Sequence, residues 1–300
     1  MKIRYAAAMS KSKQVLAYDL GGTKIIAGIM SEKGRVLAEA RELVRSTEGV
    51  NAVIDQLASM GLKLLEKYPH AASIGVASAG PLDPRKGILL DPTNLKTRGK
   101  SWGKVPLAAL LRSRLRRPVV VDNDAAATVL AEHWKGAARG YANAMVLTLG
   151  TGVGTGVICN GALVRSGRGL HPEASHIPLN AEDRSAPCGC GNFGCVEAYL
   201  SGVNFSKRFN RLNQQFRSSR SSRSRIPQHS LSAGAISEIA REGSPEGRKA
   251  FQEYAWYFAL AVHAYQVLYS PEIIVLTGSF AEAADLFLPK VDTHLKKLLR

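Results

Sequence analysis

Residues 171–197 read HPEASHIPLNAEDRSAPCGCGNFGCVE, and no other stretch limits the fold of this 300-residue chain so tightly. Three of its four cysteines, Cys188, Cys190 and Cys195, fall within this one segment, and His176 stands just upstream. Three thiolates and an imidazole form a tetrahedral donor set suited to Zn²⁺. The glycines between the cysteines let the backbone turn tightly enough to aim the sulfurs at one point. A disulfide is the rival reading. Cys188 and Cys190 are too close in sequence to bridge comfortably, and three thiols leave one unpaired. Glu173 and Glu197 flank the segment, so a metal clamp there would fix two carboxylates that hold a polar ligand.

The length suits two domains or one large one, and a hydrophobic content of 45% is ordinary for a chain with a proper core. No apolar run reaches membrane-spanning length, and the basic stretch at 1–13 has too short an apolar part for a signal peptide. Cysteines committed to a metal fit a reducing cytoplasm. The net charge of +16 points first to nucleic acid, yet seven basic residues lie in 207–225, a run without a single acid. The Ser/Arg/Asn/Gln-rich segment at 207–230 therefore reads as a low-complexity insertion, solvated or weakly binding polyanions.

Along the chain, Val15 to Leu20 is a strand ending beside Asp19, and Gly21, Gly22, Thr23 and Lys24 turn into a second strand. Such a turn offers backbone N–H groups, a hydroxyl and a cation to phosphates, with Asp19 facing Mg²⁺; a tight hairpin with an incidental lysine is the plainer alternative. A strand follows rather than a helix, which excludes a Walker loop. Residues 51–68 read as a helix, 73–77 as a buried strand, and 81–104 as a Pro-, Gly- and Asp-rich loop in which Asn94 is either a ligand contact or a turn residue. Residues 107–115 read as a helix. The strand at 118–121 ends in Asp122, Asn123 and Asp124 ahead of a helix at 125–134. A carboxylate at the carboxyl end of a strand is where α/β enzymes place catalytic groups, which makes Asp124 a candidate general base; helix capping is the competing role. A second Gly/Thr turn follows the strand at 144–149 and spans 150–156, with Gly150, Thr151 and Gly152 at its start, so two related α/β halves are expected. Asn160-Gly161 marks a hairpin. Residues 232–242 and 245–269 read as helices and 271–276 as a buried strand, followed by a polar turn at Gly278 that is a third candidate nucleotide contact. Two helices are expected at 281–287 and 291–299.

DLGGTK at 19–24, NDA at 123–125, LGTGVGTGV at 149–157, PEASH at 172–176 and CGCGNFGCVE at 188–197 resemble, in order and spacing, the ROK family of bacterial sugar kinases and repressors. The resemblance covers most of residues 15–280. It implies an α/β chain with the actin-like (ribonuclease H-like) ATPase fold: an N-terminal domain at 14–124 and a C-terminal domain at 125–300, with a cleft between them. It implies ATP-dependent phosphorylation of a hexose, glucose first, with N-acetylmannosamine and fructose as alternatives. Asp124 is then the base and Asn94, Asn123, Glu173, His176 and Glu197 bind the sugar. Asp19, Gly21, Gly22, Thr23, Lys24, Gly150, Thr151, Gly152 and Gly278 meet MgATP, and His176, Cys188, Cys190 and Cys195 hold zinc. A homodimer is the implied assembly.

The chain also departs from the family pattern. Thr155 and Ser279 stand where glycines are usual, the sugar loop reads PTNLKTRGKSW, and the family continues past residue 300 with a further helix. A non-catalytic sugar-sensing regulator is the rival class. It expects a DNA-binding domain, for which the fourteen residues before Val15 are too few, and it has no need of Asp124.

Overall fold

The structure, a computed structural model, describes residues 13–92, 94–167, 169–219 and 230–299. The basic N-terminal stretch at 1–12 and most of the Arg/Ser run, 220–229, lie outside the described residues. The chain divides into two compact units, one reaching residue 127 and including 165–170, the other holding 128–164 and the chain from 171.

In the first unit, β1 (Gln14–Leu20), β2 (Lys24–Ser31) and β3 (Val36–Leu43) form an antiparallel meander. Alternate residues Leu16, Tyr18 and Leu20 of β1 and Ile25, Ala27 and Ile29 of β2 are buried, the period-two pattern of a half-covered sheet. Helix α1 (Val50–Lys67) packs Val53, Ile54, Leu57 and Leu64 into the same core and crosses over to β4 (Ala71–Ser78), which lies parallel to β1. The segment at 81–104 is not the continuous loop expected. It contains β5 (Leu82–Asp83), β6 (Ile88–Leu90) and β7 (Lys104–Val105), a small antiparallel sheet that buries Leu82, Leu89 and Val105. Strands of two or three residues are too short to show a periodic pattern. Helix α2 (Leu107–Leu115) leads to β8 (Val119–Asn123), parallel to β4, which completes the sheet order β3-β2-β1-β4-β8. Helix α3 (Asp124–Lys135) follows without a break. Residues 165–170 join this unit because the Arg165 guanidinium pairs with Asp122 and donates to the Gly169 carbonyl at 3.0 Å.

The second unit repeats the plan. Strands β9 (Ala144–Leu149), β10 (Val153–Cys159) and β11 (Ala162–Leu163) form an antiparallel meander. Positive φ at Asn160 and Gly161 gives the tight turn between β10 and β11. Five helices stack on this unit's core: α4 (Val196–Leu200), α5 (Gly202–Ser219), α6 (Ala233–Arg241), α7 (Pro245–Tyr269) and, after the last strand, α8 (Ala284–Leu298). That strand, β12 (Ile273–Thr277), lies parallel to β9, so the order is β11-β10-β9-β12. Phe205, Phe251, Tyr254, Phe280 and Phe287 form an aromatic cluster beneath the helices. An antiparallel meander with a further strand parallel to its first member, present in both units, is the strand plan of the actin-like fold.

Four sequence expectations need correction here. The low-complexity segment from 207 is helical to Ser219: Phe205 and Phe209 bury one face of α5, Asn210 exchanges two 2.9 Å hydrogen bonds with the backbone of Leu231, and Arg208 pairs with Asp183 and Glu253. Tertiary contacts outweigh the polar composition. Strand β10 begins at Val153, inside the glycine run, because the hairpin needs only the residues up to Gly152 to turn. Strand β12 is half-buried rather than buried, as suits an edge strand. Helix α8 is continuous through Pro289, since burial of Phe287 and Val291 outweighs one missing backbone bond. Among the described residues no helix is long and apolar enough to cross a membrane.

Candidate active site

The first unit gathers one group of candidate residues at the carboxyl ends of its strands. Asp19 sits near the end of β1 opposite Ile26, and Gly21 N–H donates to the Lys24 carbonyl at 3.1 Å to close the turn between β1 and β2. A side chain at Gly22 would come within 2.8 Å of the Asn94 carbonyl, so a bare glycine lets the loop carrying Asn94 lie directly on this turn. Leu95, fully buried, anchors that loop while Asn94 stays exposed.

At the end of β8 the three polar residues divide their work. Asp122 accepts from the Asn123 N–H at 2.8 Å and is paired with Arg165. Asn123, buried, is the cap of α3: its Oδ1 accepts from Ala125 at 2.8 Å and Ala126 at 3.1 Å. Asp124 is the first residue of α3 and exposed, beside a helix N-terminus that favours negative charge. Although Asp19 as a whole counts as exposed, desolvation of its carboxyl raises its pKa. The nearby Asp124 carboxylate raises it further, and Lys24 partly offsets both. Two like charges held within electrostatic reach form a pocket of negative potential suited to a cation.

The second unit gathers the rest. His176 Nδ1 lies 3.4 Å from Cys188 Sγ, Cys190 Sγ lies 3.8 Å from Cys195 Sγ, and all four candidate ligand atoms fall within 4.8 Å of one another. Two sulfurs each about 2.3 Å from a tetrahedral Zn²⁺ would be about 3.8 Å apart. The donor set and its spacing therefore fit zinc. All four cysteines are free thiols in this structure. Burial raises the pKa of Cys188 and of Cys195, with the Glu197 carboxylate adding to both. For Cys190, burial is outweighed by hydrogen bonds from the Asn192 backbone and the neighbouring thiols, and its pKa falls. Backbone bridges between Pro178 and Cys195 and between Pro187 and Phe193 hold the loop in shape, and the positive φ of Gly194 brings it against the Asn180 carbonyl.

Glu197, in the first turn of α4, connects this knot to the glycine hairpin. Its Oε2 accepts from the Val153 N–H at 3.0 Å, and its Oε1 lies 3.7 Å from Cys188 Sγ. A side chain at Gly152 would approach Glu197 Oε2 to 2.6 Å and would have to push that carboxylate aside. Gly150 is fixed from both sides, donating to Gly152 at 3.0 Å and accepting from Gly202 at 2.8 Å, while Thr151 stays exposed at the tip. Gly278, with φ of 88°, packs against Leu149 so closely that a side chain would meet its carbonyl at 2.3 Å. Glu173 lies 3.4 Å from His171 Nε2 and begins the short turn that carries His176, whose N–H donates to the Glu173 carbonyl at 3.0 Å.

Sequence reasoning assigned no role to His171, Arg165 or Thr155. Histidine beside Pro-Glu was the available signal for the first; the other two act on partners far along the chain. The raised pKa of Asp19 carries a prediction. Ionising this carboxyl costs the fold stability as pH rises through its raised folded pKa. Asp19→Asn is therefore expected to melt higher than the parent protein at pH 7 in metal- and nucleotide-free buffer. The difference should vanish below about pH 4, where an ordinary aspartate is itself protonated. Equal melting temperatures across that range would contradict the crowding of the two carboxylates.

Comparison with known proteins finds relatives over most of the chain. The chain is 29% identical to the glucokinase of Thermotoga maritima over 91% of its own length and 84% of that protein. It is 27% identical to the N-acetyl-D-glucosamine kinase of Shigella boydii over 93% of its length and 86% of that protein. Its structure aligns with that of a ROK family glucokinase from Streptomyces griseus in complex with glucose and AMPPNP, with a TM-score of 0.76 at 26% identity, covering 95% of this chain and 89% of that one. The ROK family model matches residues 15–300, and the chain belongs to the ROK family.

Proposed function

We propose that this chain is a sugar kinase that transfers the γ-phosphoryl group of ATP to a hexose, with glucose as the leading substrate. One observation carries the reading: Asp124 is exposed at the start of α3 and electrostatically coupled to Asp19, beside a Gly-Gly-Thr-Lys turn. Phosphoryl transfer asks a protein chiefly for positioning and charge neutralisation. Asp124 takes the proton of the attacking sugar hydroxyl. Asp19 would hold Mg²⁺, which when bound neutralises phosphate charge, and the Gly22 N–H and the hydroxyl of Thr23 face the phosphates. The Gly150–Thr151–Gly152 turn and Gly278 serve the nucleotide in the second unit.

Glu173, His176 and Glu197 grip the sugar hydroxyls. His176 turns Nδ1 towards Cys188, which leaves Nε2 to donate to a hydroxyl. Zinc on His176, Cys188, Cys190 and Cys195 would hold that ring and the Glu197 turn rigid. Similarity to glucokinases supports glucose; N-acetylglucosamine is the second reading, because a kinase for that sugar is related at nearly the same identity. Reduced thiols and the zinc set suit a cytoplasmic setting.

Asp124→Asn is expected to lower turnover by about 10²–10⁴-fold while sugar affinity, measured by calorimetry, stays close to that of the parent protein. Turnover surviving at the parent level would remove Asp124 from the base role. Cys190→Ser is expected to lose most of its zinc in elemental analysis and to bind sugar more weakly. Undiminished zinc would rule out this ligand set.

A further inference from the structure

Thr155, on β10 opposite Leu147, is buried to 1% exposure and points its hydroxyl at the segment that carries Glu173. The Thr155 Oγ1 donates to the Pro172 carbonyl at 2.9 Å and accepts from the Ala174 N–H at 3.1 Å. A hydroxyl has one proton and two lone pairs, so both bonds coexist. They hold the peptides on either side of Glu173. The Ala174 carbonyl is pinned in turn by the Tyr265 hydroxyl at 3.2 Å, and Tyr265 is fully buried in α7. The Glu173 carbonyl accepts from His176, so the same anchors set the turn on which His176 sits. Without this hydroxyl the Pro172 carbonyl and the Ala174 N–H would lose this partner, in a part of the second unit where Ala174 is almost fully buried.

We infer that Thr155 is a positioning residue for sugar recognition: its hydroxyl clamps the backbone on both sides of Glu173 and so fixes the carboxylate that meets a sugar hydroxyl. The inference rests on the proposed role of Glu173 as a sugar ligand. It gives β10 two services in this chain, since Val153 at its start also holds Glu197. Both carboxylates of the sugar grip are thereby referenced to one strand.

The test is a double-mutant cycle on the full chain. Thr155→Val, which keeps shape and removes the hydroxyl, Thr155→Ser, Glu173→Gln and the Val/Gln double variant are compared. The sugar is whichever of glucose, N-acetylglucosamine, N-acetylmannosamine, mannose and fructose the parent enzyme turns over fastest. Thr155→Val is expected to raise KM for the sugar about tenfold with little change in kcat or in KM for ATP, the signature of lost ground-state binding. Thr155→Ser should stay within about twofold of the parent, because the hydroxyl survives. The double variant should lose less than the sum of the two single effects, since Thr155 acts in large part through Glu173. If Glu173→Gln leaves KM for the sugar unchanged, the Glu173 reading itself fails and the inference with it. If Glu173→Gln raises that KM but Thr155→Val does not, or the two effects add in full, Thr155 alone loses its role. Should Thr155→Val fail to fold, Thr155→Ser decides: parent-like KM for the sugar supports the clamp, and a KM as high as that of Glu173→Gln overturns it.

Discussion

The Glu197 carboxylate is the joint of the second unit. One oxygen takes the Val153 N–H at the start of β10, and the other lies against the thiol of Cys188. A single side chain thus ties the cysteine loop to the glycine hairpin and to α4, which continues into the helical stack. The tie explains the neighbouring residue types. A side chain at Gly152 would displace the Glu197 carboxylate, and the Gly150 backbone is closed on both sides so that the hairpin cannot splay. A partly buried carboxylate is worth holding only if its hydrogen bonds are made, and here the Val153 N–H supplies one of them.

Elsewhere the fold sets function against stability. Burial and the nearby Asp124 carboxylate both add to the cost of ionising Asp19, and an unliganded protein would be better off without that charge. Asn123 and Asp122 compensate locally: one caps α3, and the other holds the Arg165 segment. Of the Asp-Asn-Asp triplet, two residues thus build the structure and the third, Asp124, is exposed. The pattern is that of strained polar groups at a working site, supported by well-satisfied neighbours.

Much of this was legible in sequence because the signals are local. Strands β1 and β2 announce themselves as short apolar runs about the Gly-Gly turn, α1 by helical periodicity, and the His176, Cys188, Cys190 and Cys195 cluster by three closely spaced cysteines with a histidine upstream. What escaped depends on partners distant in the chain. Helix α5 looks low-complexity until Phe205 and Phe209 meet the aromatic cluster and Asn210 meets Leu231. The 81–104 segment hides a sheet whose strands are too short to show a period. Thr155 reads as a departure from a glycine pattern, and only the folded strand shows its hydroxyl spanning Pro172 and Ala174. For Asn123 the resemblance implies sugar binding, and the geometry adds a cap of α3 through its Oδ1.

The most direct measurement is ADP release by the purified chain with MgATP and, in turn, glucose, mannose, fructose, N-acetylglucosamine and N-acetylmannosamine. A sugar kinase with Asp124 as base is expected to release ADP rapidly with one of these hexoses, glucose foremost, and slowly in the absence of sugar. Sugar binding without ADP release on any of the five would contradict the kinase reading and point instead to a sugar sensor.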